Sequence, residues 1–280
     1  MDTHILQLLP DFLKILELDE EPMGLFYTGD KPVEGFSPKK VELPTRDREL
    51  KNEIDWQEVF GKFSCAIGHI WRARKKKSIA WFSANQFGCP GAAFWLGFNK
   101  PQTEMIINYV STGIPNYMEG EQYCESPDAV RKIFEFVDPR PAPKKYCVVK
   151  PLSLFERDEN PELVIFFSRP ESLCGLHQLT AFVTNDPEAV VSPWSAGCGG
   201  LAVWPLHYLN SGKPKAVIGG WDPSARKYYK NDELSFTVPF QMFSEMLNRY
   251  GDSFLNRKAW QTVQKKINRS KKVWNEMPVG

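Results

Sequence analysis

The sequence has no excess of charge of either sign, no long apolar run and no closely spaced pair of cysteines. Its 35 Lys and Arg residues are balanced by 34 Asp and Glu residues. This balance argues against a generic nucleic-acid-binding protein, which usually carries a basic surplus. No segment approaches the ~20 apolar residues of a membrane-spanning helix, and residues 1–18 lack the pattern of a signal peptide. We therefore expect no membrane association.

The cysteines are few and far apart. Six occur in 280 residues, at positions 65, 89, 124, 147, 174 and 198, whereas a disulfide framework is typical of small secreted chains. We therefore expect reduced thiols and a cytoplasmic location. The phosphate-binding loop and the dinucleotide fingerprint are also absent, so a nucleotide-binding role is not favoured.

Apolar runs of strand length alternate with segments of helical periodicity along most of the chain. Strands are predicted at 23–27, 78–82, 146–149, 163–167, 189–191, 216–218 and 234–238. Helices are predicted near the N-terminus and at 64–74, 92–98, 127–136, 172–183, 199–208 and 240–250, while the Pro-rich segment 28–53 is predicted as a surface loop. This alternation favours a mixed α/β (α+β) fold, a single compact domain with a mixed sheet flanked by helices.

The segment 251–280 is predicted as a basic C-terminal helix that packs on the domain formed by residues 1–250. Seven basic residues and no acidic ones lie between Arg257 and Lys272, and Trp260, Val263 and Ile267 recur at helical spacing. Such a stripe is typical of a helix packed through one face. A basic arm that binds a partner or nucleic acid is the alternative.

Four cysteines lie at or near the starts of predicted helices: Cys65, Cys89, Cys174 and Cys198. Unpaired N–H groups and the helix dipole stabilise negative charge at such positions. A lowered thiol pKa is therefore expected, and the thiolate is both the nucleophile and the metal ligand. We predict that these four residues bind a metal ion or an iron–sulfur cluster. Ordinary buried cysteines, or a catalytic or redox thiol, are the alternatives.

Glycines accompany two of these cysteines. Because glycine has no side chain, the backbone can come close to a bulky bound group, so we predict cofactor contacts at Gly88, Gly91, Gly197 and Gly199. The segment 195–200 could instead bind an anion through its N–H groups. Three tryptophans could then wall a ligand pocket: Trp194, Trp204 and Trp221.

Two histidines follow candidate cysteines at helical spacing. His69 lies four residues after Cys65, and His177 lies three after Cys174, so each pair would share one helix face. Either pair could bind a metal or act as a thiol and its base. Asp232 and Glu233 are weaker acid–base candidates, since carboxylates at a strand edge are usually just exposed.

Several short motifs together resemble the "domain of unknown function 169" family. They are Phe63-Ser64-Cys65-Ala66, Gly88-Cys89-Pro90-Gly91-Ala92-Ala93, Pro151-Leu152, Gly197-Cys198 with Pro205-Leu206, and Asp232-Glu233-Leu234 with Val238-Pro239. The resemblance implies cytosolic prokaryotic proteins and supplies no reaction. It favours Cys65, Cys89 and Cys198 as ligands over Cys124 or Cys147. It places Cys174 where residues are expected to vary, so three ligands plus one open position is an alternative to four.

The leading hypothesis is a protein that binds a metal or iron–sulfur cluster and has a redox or substrate-activating role. Its partner would be a redox protein or a small molecule. A binding module for small molecules without chemistry and a thiol-dependent enzyme are the alternatives, so the sequence does not decide whether the protein is an enzyme.

Overall fold

The computed structural model describes Met1 and residues 3–100 and 102–276. In this part of the chain seven strands form one sheet: β1 (Met23–Thr28), β2 (Ala80–Ser83), β3 (Tyr146–Pro151), β4 (Leu163–Ser168), β5 (Val190–Val191), β6 (Ala216–Gly219) and β7 (Leu234–Pro239). Their spatial order is β2-β3-β1-β4-β7-β6-β5. Paired strands are antiparallel except β5 and β6, which are parallel. The predicted mixed sheet in a single α/β domain is therefore confirmed.

The described chain also contains eleven α-helices. They are α1 (Thr3–Ile15), α2 (Arg46–Leu50), α3 (Trp56–Gly61), α4 (Ala66–Lys76), α5 (Pro90–Trp95), α6 (Met105–Val110), α7 (Pro127–Val137), α8 (Pro170–Thr184), α9 (Trp204–Asn210), α10 (Phe240–Arg249) and α11 (Lys258–Glu276). A π-helical turn at Gly199–Val203 leads into α9. No described helix is both long and apolar enough to span a membrane.

Three short helices were missed by the sequence patterns. The segment 28–53, predicted as a loop, contains α2, and α3 and α6 were also not predicted. Each has only five or six residues, which is too short for a helical period to emerge. The helix predicted at 199–208 is divided into the π-helical turn and α9, with Pro205 in the first turn of α9, where its missing N–H costs nothing.

The central strand β4 divides the interior into two layers, because successive side chains point to opposite faces of a sheet. Val164 and Phe166 belong to one hydrophobic core, and Leu163, Ile165 and Phe167 belong to another. All five are buried, which explains why β4 is a continuous apolar run. We call the side of Val164 and Phe166 the sealed face and the opposite side the cavity face.

Helices α1, α8, α10 and α11 cover the sealed face. Phe12 of α1 and Phe243 of α10 are fully buried, and the Phe243 ring lies 5.8 Å from that of Phe166. Trp260 of α11 is buried in the same core and donates its Nε1–H to the Ile15 carbonyl at 3.2 Å. The predicted stripe on α11 is wrong at Val263, which is 43% exposed. Residues 277–280 of the predicted C-terminal segment lie outside the described residues.

The cavity face is covered by α4, α5, the π-helical turn and α9. These elements pack on the sheet largely through small and aliphatic residues: Ala66, Ile67, Ile70, Ala73, Ala92, Leu96, Leu201, Ala202 and Leu206. Helices α3, α6 and α7 form smaller clusters outside this layer. The candidate site lies between these two sets of elements.

Candidate cofactor site around three cysteines

Cys65 and Cys89 begin two helices that lie side by side. Cys65 is the N-cap of α4, and Cys89 is the N-cap of α5, whose first turn contains Pro90. The Ser64 N–H donates to the Gly88 carbonyl at 3.0 Å. Gly88 has φ +90°, and a Cβ there would lie 2.5 Å from the Ser64 carbonyl oxygen. Glycine is therefore required for this approach of the two helix starts.

Cys198 reaches the same region from the π-helical turn. The Gly199 N–H donates to the Ala196 carbonyl at 2.8 Å, and the Gly197 N–H donates to Asp222 Oδ2 at 2.6 Å. A Cβ on Gly200 would lie only 3.0 Å from the Gly219 Cα, so the turn packs tightly on β6. This contact fixes the position from which Cys198 points towards α4 and α5.

A cavity of about 440 Å³ lies where these elements meet. Its volume falls within the range of roughly 300–1,000 Å³ that is usual for small-molecule sites. Cys65, Cys89 and Cys198 all line it. Much of the remaining wall is apolar or aromatic: Phe60, Phe63, Ile67, Trp95, Met105, Ile106, Tyr109, Val110, Met118, Phe134 and Trp194.

The fourth predicted ligand lies elsewhere. Cys174 is exposed and belongs to α8, which covers the sealed face, so it does not line the cavity. His177 is on the same helix. Cys124 and Cys147 are buried outside the cavity wall, as expected for structural residues. The structure thus brings together three of the four predicted cysteines.

The four predicted glycine contacts divide into two pairs. Gly91 and Gly197 line the cavity, and a Cβ on Gly91 would lie 3.8 Å from Cys89 Sγ. Gly88 and Gly199 lie behind the wall, where a Cβ would meet neighbouring residues at 2.5 Å and 2.6 Å. Gly88 and Gly199 therefore allow close packing, as does Gly197, whose Cβ would lie 3.1 Å from Ala225 Cβ, while Gly91 leaves space beside the Cys89 thiol.

Burial, and not the helix starts, dominates the thiol pKa values. Desolvation raises the pKa of Cys89 to about 11 and raises the pKa of Cys65 and Cys198 as well. Backbone N–H groups oppose this effect; the Ala92 N–H, for example, donates to Cys89 Sγ at 3.4 Å. The predicted lowering of these pKa values is wrong because the apolar wall costs a thiolate more than the N–H groups return.

The three thiols also interact with one another. The Cys65 charge raises the pKa of Cys89, and the charges of Cys89 and Cys65 raise that of Cys198. Each thiol thus lies within range of the charge of the others, and a weakly polar environment lengthens that range. Without a bound cation, the three thiols are therefore neutral at physiological pH.

His69 is not positioned as a partner for Cys65. Its Nε2 lies 3.1 Å from Ser64 Oγ, and burial followed by the Arg72 charge lowers its pKa to about 4. Ser64 lines the cavity, whereas His69 does not. His69 thus supports the residue before Cys65 as a neutral imidazole.

The cavity is also lined by two carboxyl groups, and the sequence patterns singled out neither of them. Asp222 caps the 3₁₀ helix Pro223–Tyr228 through the Ser224 N–H at 2.8 Å. Glu121 lies in the loop after α6, and burial followed by the Asp222 charge raises its pKa. The only sequence signal was the Asp-Pro-Ser capping pattern at 222–224; nothing in the local sequence marks Glu121.

The other acidic candidates have a structural role. Glu233 is buried and pairs with Arg74 of α4 at 2.9 Å, while Asp232 is exposed. Of the three tryptophans, Trp194 lines the cavity. Trp204 lies behind it and donates to the Trp194 carbonyl at 2.8 Å, and Trp221 is 54% exposed.

A single metal ion has no ready-made ligand set in the described residues. Among them, no group of three or more His, Cys, Asp or Glu side chains is arranged to hold one ion. A tetrahedral ion with Zn–S bonds of about 2.3 Å needs sulfur atoms about 3.8 Å apart. The three cysteines line one cavity without forming so tight a group.

The comparisons with known proteins give one match. The model of the DUF169 family, described as uncharacterised ArCR, matches residues 11–249. No curated protein and no solved structure matches the chain.

Proposed function

We propose that this chain, which belongs to the DUF169 family, binds an iron–sulfur cluster through Cys65, Cys89 and Cys198 and leaves one iron position open to a small molecule. The observation that carries the proposal is that three thiols from distant parts of the sequence line one cavity. Cys174 has no part in it. The match to the family model confirms the resemblance that the sequence motifs predicted. The cluster is our own inference.

The chemistry of the thiols favours a cationic occupant. Neutral thiols buried in an apolar wall become strong ligands when a metal displaces their protons. Backbone N–H groups of Gly91, Ala92, Ile67 and Gly68 face the sulfur atoms of Cys89 and Cys65. Hydrogen bonds of this kind to cluster sulfurs stabilise the cluster and tune its reduction potential.

A cluster fits this arrangement better than a single ion does. In a four-iron cluster each cysteine binds a different iron, so the ligand sulfurs stand farther apart than around one ion. The three cysteines line a cavity of about 440 Å³, which leaves space beside the three thiols. The remaining space, bounded by aromatic residues, is where a small molecule would meet the open iron position.

This geometry favours substrate activation over simple electron transfer. Three thiolates leave a coordination position free, as in catalytic metal sites, whereas electron-transfer clusters normally have four protein ligands. The cluster would supply a Lewis-acidic iron, and the wall residues would orient the bound molecule and exclude water. Six free cysteines agree with the reducing cytoplasm in which we place this function.

The test is the iron and acid-labile sulfide content of protein purified without oxygen, together with its absorption spectrum. We expect brown protein with matched iron and sulfide. Cys65→Ser, Cys89→Ser and Cys198→Ser should each lose most of the iron, and Cys174→Ser, the matched control on the sealed face, should keep it. Circular dichroism verifies that each variant is folded. Metal-free protein after anaerobic reconstitution, or equal iron in Cys89→Ser and Cys174→Ser, would contradict the proposal.

A second candidate is a binding module for small molecules that uses the same cavity without a metal. The aromatic and apolar wall favours it, because sites of this composition bury small ligands well. A thiol enzyme is disfavoured by the raised thiol pKa values. Rapid alkylation of Cys89 by iodoacetamide at neutral pH, lost in Cys89→Ser, would favour the thiol enzyme instead.

A further inference from the structure

The cavity wall has an unbalanced charge. Glu121 and Asp222 contribute carboxyl groups, and three thiols add groups that become anionic on metal binding. Among the described residues that line the cavity, none is Lys, Arg or His. Neither carboxyl group forms an ion pair in the part of the chain that the structure describes. An occupant of this cavity therefore meets acidic groups with no cationic side chain among the described wall residues, although the charge of Lys227, outside the wall, reaches Cys65.

Asp222 is held in a fixed position. It is only 7% exposed and accepts the Gly197 N–H at 2.6 Å. The Ser224 N–H and Oγ both donate to its other oxygen at 2.8 Å. These neutral donors stabilise the carboxylate without cancelling its charge, so the electrostatic field of Asp222 extends into the cavity.

Glu121 is the adjustable member of the pair. It is half-buried, and burial followed by the Asp222 charge raises its pKa, with the hydroxyls of Tyr109 and Ser224 acting in the opposite direction. Two carboxylates that repel each other in a desolvated site are stabilised by any cation that lies between them. The pair thus favours positive charge.

The aromatic residues of the wall favour the same ligand. The rings of Phe60 and Tyr109 lie 6.2 Å apart, and Trp194 also lines the cavity. Aromatic faces attract cations, and the attraction is strongest for Trp and where water is excluded. An apolar anion would gain the same hydrophobic contacts but would be repelled by the carboxylates.

We infer that the cavity takes a small organic cation, with an apolar body between the aromatic walls and a protonated amine near Glu121 and Asp222. This inference rests on the proposed function only for the cavity that both use, and it names the class of small molecule that would bind there. It depends on the carboxyl pair and the aromatic wall, and not on the cluster.

The test uses three probes of similar shape and different charge: phenethylammonium, 2-phenylethanol and 3-phenylpropanoate. Their dissociation constants are measured by calorimetry on the full chain. We expect the ammonium to bind roughly tenfold more tightly than the alcohol, as one desolvated charge contact suggests, and the carboxylate to bind most weakly. The preference should change little with added salt, because a buried pair is screened less than a surface pair.

Glu121→Gln is the decisive variant. It should weaken ammonium binding several-fold and leave alcohol binding unchanged, since the shape of the wall is kept. The matched control is Glu119→Gln, which removes the same charge two residues away at an exposed position outside the cavity wall. It should bind all three probes like the unmodified chain. Equal effects of the two variants would overturn the inference.

The outcomes separate this inference from the cluster proposal. The same titrations on Cys89→Ser should retain the preference for the ammonium, whether or not the unmodified protein contains iron. Tighter binding of the carboxylate probe, or no binding of any of the three at millimolar concentration, would overturn the cationic assignment. Neither result would alter the iron and sulfide content on which the cluster proposal depends.

Discussion

The two faces of the sheet differ in what their helices do. On the sealed face, large side chains from α1 and α10 interlock, as in the edge-to-face contact of Phe12 and Phe243 with ring centroids 6.2 Å apart. On the cavity face, the elements near the cysteines meet through small residues such as Ala66, Ala92 and Gly197. The sealed face is therefore close-packed and contributes most to stability, while the cavity face is packed less closely and leaves space beside three thiols.

The backbone conformations follow the same division. The cavity face contains a π-helical turn before α9 and a left-handed glycine at Gly88, both of which occur preferentially where a site must be shaped. The sealed face is covered by α-helices of 10 to 19 residues and short 3₁₀ helices at Tyr250–Asp252 and Phe254–Asn256. The π-helical turn and the unfilled volume thus lie on the same side of the sheet.

The largest effect is expected from truncating an aromatic side chain on the sealed face. Phe243→Ala should lower the free energy of unfolding by about 3–5 kcal/mol, because the buried ring leaves a void among close-packed neighbours. Phe60→Ala on the cavity wall should cost only about 1 kcal/mol, since Phe60 already borders empty space. Urea unfolding measures both, and equal losses would remove the distinction between the two faces.

Removing the buried carboxylate that pairs with α4 should destabilise the protein nearly as much. Glu233 pairs with Arg74, whose guanidinium lies 3.5 Å from the Phe167 ring centroid. Arg74 also pairs with Glu20, so Glu233→Gln leaves the buried cation with one of its two carboxylates, and we expect a loss of about 2–3 kcal/mol. Asp232→Asn is the neighbouring exposed control and should have little effect. If the two variants unfold at the same urea concentration, the pair does not hold α4 in place.

His69 should make the cavity face sensitive to acid. Its folded pKa of about 4 lies below the unfolded value of about 6.5, so the unfolded chain binds the proton more readily. Stability should therefore fall as the pH decreases from about 6.5 to about 4, by on the order of 1–2 kcal/mol at pH 5.

Urea unfolding at pH 7 and pH 5 measures this loss. His69→Gln should reduce it, and His177→Gln on the sealed-face helix α8 should retain it. An unchanged pH dependence in His69→Gln would show that other groups cause the loss.

The smallest expected change in the free energy of unfolding concerns the N-cap of α7. Ser126 caps α7 by accepting the Ala129 N–H at 3.3 Å, and Ser126→Ala should cost about 1 kcal/mol. Ser244 on the sealed face donates to the carbonyl of Phe240, four residues earlier, a bond that adds little to a helix. Ser244→Ala should therefore be nearly neutral. Urea unfolding checks this difference: the midpoint of Ser126→Ala should be lower than that of Ser244→Ala.

The fold was largely predictable because its signals are local. The apolar run at Leu163–Ser168 and the Ser-Pro start of α7 each reveal a strand or a helix from adjacent residues. The short helices α2, α3 and α6 were missed because five or six residues contain too little of a helical period. The inclusion of Val263 in the buried stripe failed because the face of α11 that packs is set by its neighbours.

The sequence by itself determined the alternation of strands and helices and the placement of Cys65 and Cys89 at helix starts, since these depend on residues a few positions apart. Only the tertiary structure decided that Cys65, Cys89 and Cys198 share a cavity and that Cys174 lies on the sealed face. It also added Glu121 and Asp222 to the wall and reversed the expected direction of the thiol pKa shifts. The reason is physical: convergence and desolvation depend on chain segments more than a hundred residues apart, which meet only when the sheet has formed.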